Sequence, residues 1–192
     1  MGENIGLSDR ELLDQAMAKV QELQALATKY GIDDIFQDNG GKVLQSLIIL
    51  GLKQLPGREG NDATDDLGRE YELKTINILK QQQVTTHHHL NLVILAKYRA
   101  VAAWYISLYE GIVLREIYRV ETIALEPLFS QWETRIRQTG TQLNNPKIPL
   151  KLVRKVGSLV YQSPLSQQKA PTLLDTMIKN TETTSSSGAS EK

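Results

Sequence analysis

Asp62 and, after nine intervening residues, Glu72-Leu73-Lys74 form the pattern Asp…Glu-x-Lys. These types suit phosphodiester hydrolysis, which needs a hard cation to neutralise developing charge and to make hydroxide from water. Mg²⁺ takes oxygen ligands, commonly one or two carboxylates together with waters and substrate phosphate. Two acids brought together at strand ends supply such a pair, and a neighbouring lysine orients the attacking water or offsets charge in the transition state. Alternation along a strand puts Glu72 and Lys74 on the same side.

The same pattern has a plainer reading. The chain carries 22 basic and 22 acidic residues, and an acid-x-lysine pair on a solvated face forms ordinary surface ion pairs. Other polar groups also have two readings. His87, His88 and His89 cannot all ligate one ion from an extended segment, because neighbouring side chains point to opposite faces. A loop is expected there, with the imidazoles either idle at the surface or reading base edges. Asn144 and Asn145 before Pro146 are turn residues or bidentate partners of adenine. Asp38 is a helix N-cap ahead of Gly40 and Gly41, or an acid placed against a partner.

The elements that must position these groups follow from periodicity and punctuation. Ser8 and Glu11 spell a capping box, and Leu13, Ala16, Met17, Val20, Leu23, Ala27 and Tyr30 recur at helical spacing. A helix of about six turns is predicted over 8–30, packed on its own core or on a second subunit. Asp38 to Gly41 reads as a turn or helix start, and the apolar run Val43 to Leu52 as a buried helix ending near Pro56-Gly57. From Arg69 to Ile78, Tyr71 and Leu73 alternate with Glu72 and Lys74, as in a half-buried strand. A helix through Asn91 to Arg99 follows, then a hairpin of Ala102 to Tyr109 and Ile112 to Tyr118 around Glu110-Gly111. A helix near Leu128 to Gln138, a short basic helix beyond Pro149 and a strand at Ser158 to Tyr161 complete the pattern. Pro171 to Lys179 reads as a short helix, and Thr181 to Lys192, with no large apolar residue, as disordered.

At 192 residues and 41% hydrophobic the chain suits one domain. We expect that domain over 1–162, with a C-terminal extension at 163–192. No stretch approaches the roughly 20 apolar residues of a membrane span, no secretory signal pattern is present, and a soluble cytoplasmic protein is expected. The absence of cysteine excludes disulfides and thiolate-held zinc or iron–sulfur centres. The net charge of zero conceals an asymmetry, for residues 1–72 hold 14 acids and 7 bases, and Gly140 to Gln162 holds four bases and no acid. A polyanion partner suits that stretch, as does a solvated basic face.

Six blocks, taken in order, narrow these readings. Ile35-Phe36-Gln37-Asp38-Asn39-Gly40-Gly41-Lys42, Leu55-Pro56-Gly57-Arg58-Glu59-Gly60-Asn61-Asp62-Ala63, Glu70-Tyr71-Glu72-Leu73-Lys74, Thr86-His87-His88-His89, Ala96-Lys97-Tyr98-Arg99 and Asn144-Asn145-Pro146-Lys147-Ile148-Pro149 closely resemble the PvuII restriction endonucleases. The resemblance runs from about Leu12 to about Tyr161. Asn61 stands where the wider Pro-Asp…Asp/Glu-x-Lys nuclease group has proline, as it does among the PvuII relatives.

The resemblance implies an α/β (α+β) restriction-endonuclease-like fold, a central mixed sheet flanked by helices. It implies a catalytic region over about 31–80, a DNA-recognition region over about 81–162, and the helix over 8–30 in a homodimer contact. Asp62 and Glu72 become Mg²⁺ ligands and Lys74 the residue that positions or activates the attacking water. His88 and His89 contact guanines in the major groove, with Thr85 and His87 beside the DNA or its backbone. Asn144 and Asn145 contact bases, Lys147 a phosphate, and the Asp38 loop the minor groove. Tyr98, otherwise a core aromatic, is placed near the scissile phosphate, and Glu59 is either an acid supporting the site or a solvated loop residue. The implied function is a type II restriction endonuclease that cuts CAGCTG centrally to blunt ends with 5′-phosphates, paired with a protecting methyltransferase. Altered site specificity, or a silent DNA-binding protein on the same scaffold, are the alternatives.

Overall fold

The computed structural model describes residues 7–55 and 62–164. The expectations for Pro56 to Asn61, Pro171 to Lys179 and Thr181 to Lys192 lie outside the described residues. Helix α1 (Asp9–Thr28) begins as read: Ser8 Oγ accepts the Glu11 N–H, and the Glu11 carboxylate accepts the Ser8 N–H. Its inward side is narrower than the periodicity suggested. Leu12, Ala16, Val20 and Gln24 are half-buried and Ala27 is buried, whereas Leu13, Met17, Leu23 and Leu26 are exposed.

Helix α2 (Gly40–Leu50) departs from the sequence reading at both ends. Asn39, not Asp38, is its N-cap, and both residues take left-handed φ values of 63° and 48°. The helix stops at Gly51, whose φ of 64° suits glycine. The chain turns there into strand β1 (Lys53–Gln54), ahead of Pro56.

Strands β2 (Ala63–Thr64), β3 (Glu70–Asn77), β6 (Ala103–Glu110), β7 (Val113–Glu121) and β10 (Ser158–Gln162) join β1 in a six-stranded sheet of order β1-β2-β3-β6-β7-β10. Its central pair, β3 and β6, is parallel, and its other pairings are antiparallel. The mixed sheet with helices against it is the α+β fold expected. A parallel pair requires a long crossover, and here it holds β4 (Gln83–Thr85), β5 (His89–Leu90) and helix α3 (Leu92–Ala100), capped by Asn91. β6 and β7 form the expected hairpin, turning at Gly111 with φ 61°.

The sheet is covered on both faces. Trp104, Ile106 and Leu108 pack with Tyr98 of α3 and with Phe129 and Trp132 of α4 (Glu126–Thr139). On the opposite face Tyr71, Leu73 and Ala103 pack with Ala27 of α1 and with Leu44 and Leu47 of α2. β3 is therefore a central strand buried on two sides, where alternation had suggested one solvated face. Helix α5 (Leu150–Val156) packs near β7 before β10 closes the sheet edge.

Two small ladders were not legible in the sequence. β4 pairs with β9 (Lys147–Pro149), and β5 pairs with β8 (Leu143–Asn144). They fasten the crossover to the segment after α4, and nearly all the polar residues singled out at 85–89 and 144–147 lie in or beside them. Among the described residues, no helix is long and apolar enough to cross a membrane.

Candidate active site

Asp62 and Glu72 arrive from adjacent strands. Asp62 immediately precedes β2, whose Ala63 pairs with Tyr71 of β3, and its N–H donates to the Tyr71 carbonyl at 3.1 Å. Its Oδ2 accepts the backbone N–H of Leu73 at 2.8 Å. The peptide between Glu72 and Lys74 thereby fixes the Asp62 carboxylate. Glu72, in register with Trp104 of the parallel neighbour, is only 4% exposed. The Lys74 ammonium lies 2.5 Å from Glu72 Oε1 and 3.8 Å from Asp62 Oδ2, so one cation is held against two acids.

Burial dominates the electrostatics here. It pushes the Glu72 carboxyl up to about 7, against the pull of Lys74 and with help from the Asp62 charge. Burial works to lower the Lys74 pKa, but the Glu72 and Asp62 carboxylates outweigh it and hold the ammonium above its ordinary value. Lys74 is therefore a charged donor at neutral pH. The Tyr98 ring meets Trp104 edge-on at 4.7 Å in the core, as its core reading expects. Burial pushes its hydroxyl up to about 12, offset in part by Lys74, and the His87 backbone hydrogen-bonds to it. The phenol stays protonated beside the acids.

An open cleft of about 660 Å³ extends from this centre. Asp62 and Lys74 line it together with Gln37, Asp38, Asn39, Thr85 and Thr86. Asp38 and Thr85, far apart in sequence, thus line the same space as Asp62. The remaining residues gather on the two ladders. Thr85 stands opposite Lys147, and His89 opposite Asn144. Asn145, left-handed at φ 47°, places Nδ2 3.0 Å from His88 Nδ1 and donates its backbone N–H to the His88 carbonyl at 3.1 Å. His87 Nδ1 accepts the His89 N–H, and the His88 and His89 rings lie 4.3 Å apart. His87, His88, His89, Asn144 and Lys147 are exposed.

Thr86 is a cleft residue that sequence reasoning passed over as a site residue. Its hydroxyl donates to the Pro146 carbonyl at 2.6 Å, tying the crossover to the Asn145 turn. Its signal was adjacency to Thr85 in a polar run. Gln37 and Asn39 were read only as part of a turn, yet they line the cleft beside Asp38.

The donor set fits a hard divalent cation. Among the described residues, no three or more His, Asp or Glu side chains converge, but two carboxylates drawn toward one positive charge are the oxygen pair that Mg²⁺ chemistry uses. A mixed sheet that brings two acids and a lysine together beside an open cleft defines a class, the hydrolases built on the restriction-endonuclease fold. The family model described as Restriction endonuclease PvuII matches residues 8–161, and the chain belongs to that family. Its activity is that of a type II site-specific deoxyribonuclease, and its substrate is double-stranded DNA.

Proposed function

We propose that this endonuclease is Mg²⁺-dependent, with Asp62 and Glu72 as the metal ligands and Lys74 as the group that positions the attacking water. The observation carrying this reading is the convergence of the three side chains, with Lys74 Nζ within 4 Å of both acids. Mg²⁺ bound there would supply charge neutralisation at the scissile phosphate and lower the pKa of water. The Leu73 N–H keeps one Asp62 oxygen fixed, so that the carboxylate meets a cation without reorganising. Lys74, kept protonated, donates to the incoming water oxygen or to the phosphate rather than removing a proton. Water attacks phosphorus as the bond to the 3′ oxygen breaks, leaving a 5′-phosphate and a 3′-hydroxyl.

The proposed site is CAGCTG, cut at its centre to blunt ends. His88 and His89 read guanine, Asn144 and Asn145 read bases with Asn145 on adenine, Asp38 reads the minor groove, and Thr85, His87, Tyr98 and Lys147 hold the backbone. Support for grouping them comes from the ladders that bring the 85–89 and 144–147 segments together. A palindrome calls for two-fold symmetry in the protein. The exposed Leu13, Met17, Leu23 and Leu26 of α1 favour a homodimer built through that helix. The proposed organisation is one domain over 1–162 with an extension at 163–192, acting in the cytoplasm beside a methyltransferase of the same specificity.

The deciding experiment incubates the protein with plasmids carrying or lacking CAGCTG, with Mg²⁺ or with chelator, as wild type and as Asp62→Ala. Discrete Mg²⁺-dependent fragments ending at CAGCTG are expected only for the wild type. Discrete cutting elsewhere would overturn the site, cutting in chelator the metal, and undiminished cutting by Asp62→Ala the ligand assignment.

A further inference from the structure

The inward stripe of α1 contains one polar residue. Leu12, Ala16, Val20 and Ala27 are the apolar members, and Gln24 stands among them, half-buried. A buried amide is costly unless both of its ends find partners. Both do, on one turn: Gln24 Nε2 donates to the Ile32 carbonyl at 2.9 Å, and Gln24 Oε1 accepts the Ile35 N–H at 2.9 Å.

The same turn is gripped from its other side by α2. A Cβ on Gly40 would lie 2.5 Å from the Asp34 carbonyl and 3.0 Å from Ile35 Cα, so only glycine permits the helix start to sit so close. The Gly41 N–H donates to the Ile35 carbonyl at 2.9 Å. Asp38 lies on the short segment between these two grips, held with Asn39 in the left-handed region, and it faces the cleft. Only Phe36 and Gln37 separate the Gln24 clamp at Ile35 from Asp38, too few to absorb a shift of the turn without moving the carboxylate.

We infer that Gln24 is a positioning residue for sequence reading: from α1 its amide clamps the Ile32–Ile35 turn and thereby sets where Asp38 meets the DNA, without itself touching it. This inference rests on the proposed reading of the minor groove by Asp38, where the guanine N2 amino group is the donor that a carboxylate accepts from. It gives α1 a part in specificity that its apolar face does not reveal.

Inosine, which lacks the N2 amino group, supplies the test. Cleavage kcat/KM is measured on duplexes bearing the site at which the protein cuts, with guanine or inosine at each guanine in turn. The proteins compared are wild type, Gln24→Met, Asp38→Ala and the double variant. Gln24→Met keeps the length and loses both bonds to the turn together with the Nε2 donation to Thr28 Oγ1.

The wild type should favour one guanine duplex over its inosine counterpart by about tenfold, the order of one hydrogen-bonded discrimination. Asp38→Ala should abolish that preference, Gln24→Met should reduce it to near the Asp38→Ala level, and the double variant should lose no more. A purely structural role would lower the melting temperature of Gln24→Met and leave the wild-type guanine preference intact, which overturns the inference while Asp38 stands. A wild type indifferent to inosine, or an Asp38→Ala variant that retains the preference, overturns the Asp38 assignment and the inference with it.

Discussion

Asp62 Oδ2 accepts the Leu73 N–H at 2.8 Å, so one acid of the centre is held by the peptide unit that separates the other acid from the lysine. An amide oxygen can accept that hydrogen bond as well as a carboxylate oxygen can. Asp62→Asn should therefore fold with nearly unchanged thermal stability yet cleave DNA at least about two orders of magnitude more slowly, having lost charge and not geometry. Melting curves and single-turnover digestion of a plasmid separate the two effects. A variant that both unfolds and fails would show the carboxylate to be structural.

Glu72 must be ionised to hold a cation, and burial raises its pKa to about 7. Protons therefore compete with metal below that value. The Mg²⁺ concentration giving half-maximal cleavage should rise by up to about tenfold per unit as pH falls below about 7, and level off above it. Because burial outweighs the pairing with Lys74, the sign for folding is opposite to that of an acid whose pKa the fold lowers. The unfolded carboxyl ionises near 4.3, so this group lowers stability as pH rises from about 4.3 to about 7. Mg²⁺ titrations of the cleavage rate between about pH 6 and 8 check the first statement, and a flat profile contradicts it.

Asn145 combines a left-handed backbone with a side chain 3.0 Å from His88 Nδ1. Asn145→Gly keeps the backbone accessible and deletes the amide. It should fold normally, and it should lose about 1–3 kcal/mol of discrimination at the adenine positions. Asn145→Ala adds backbone strain to the same loss and should also melt at a lower temperature. Cleavage rates on single-base variants of the site report the discrimination, and unchanged rates for Asn145→Gly would remove it from base reading.

Ser46 of α2 and Ser107 of β6 are both buried, with their hydroxyls 2.9 Å apart, and Ser46 Oγ also lies 3.1 Å from the Lys42 carbonyl as its donor. Ser107→Ala removes one partner and should destabilise by about 1–2 kcal/mol. The double alanine variant should cost less than the sum of the two single ones, because the second change leaves no hydroxyl of the pair behind. Urea denaturation of the four proteins measures the coupling, and strict additivity would mean that the hydroxyls are independent.

Local signals in this chain were legible because their partners lie within a few residues. The Ser8–Glu11 cap and the Gly111 turn each depend on neighbours that can be read directly. The central strand carrying Glu72 and Lys74 was equally visible. Its burial was not, because alternation identifies two faces without saying what covers the second, and α3 and α4 supply that cover from far along the chain. The β4–β9 and β5–β8 ladders, two or three residues per strand, are set wholly by long-range pairing and leave no periodic trace. Histidines and asparagines that looked like separate loops are one surface for this reason.

That pairing also sets when the molecule can act. Glu72 sits on a strand whose parallel partner begins at Ala103, and the strands at 83–85 and 89–90, which flank the residues proposed to read DNA, pair with 147–149 and 143–144. A fragment ending before Leu143 carries Asp62, Glu72 and Lys74 but lacks both of the strands that pair with β4 and β5. Under the proposed roles, sequence-selective cutting therefore needs the chain through Pro149, long after the two acids and the lysine have been made.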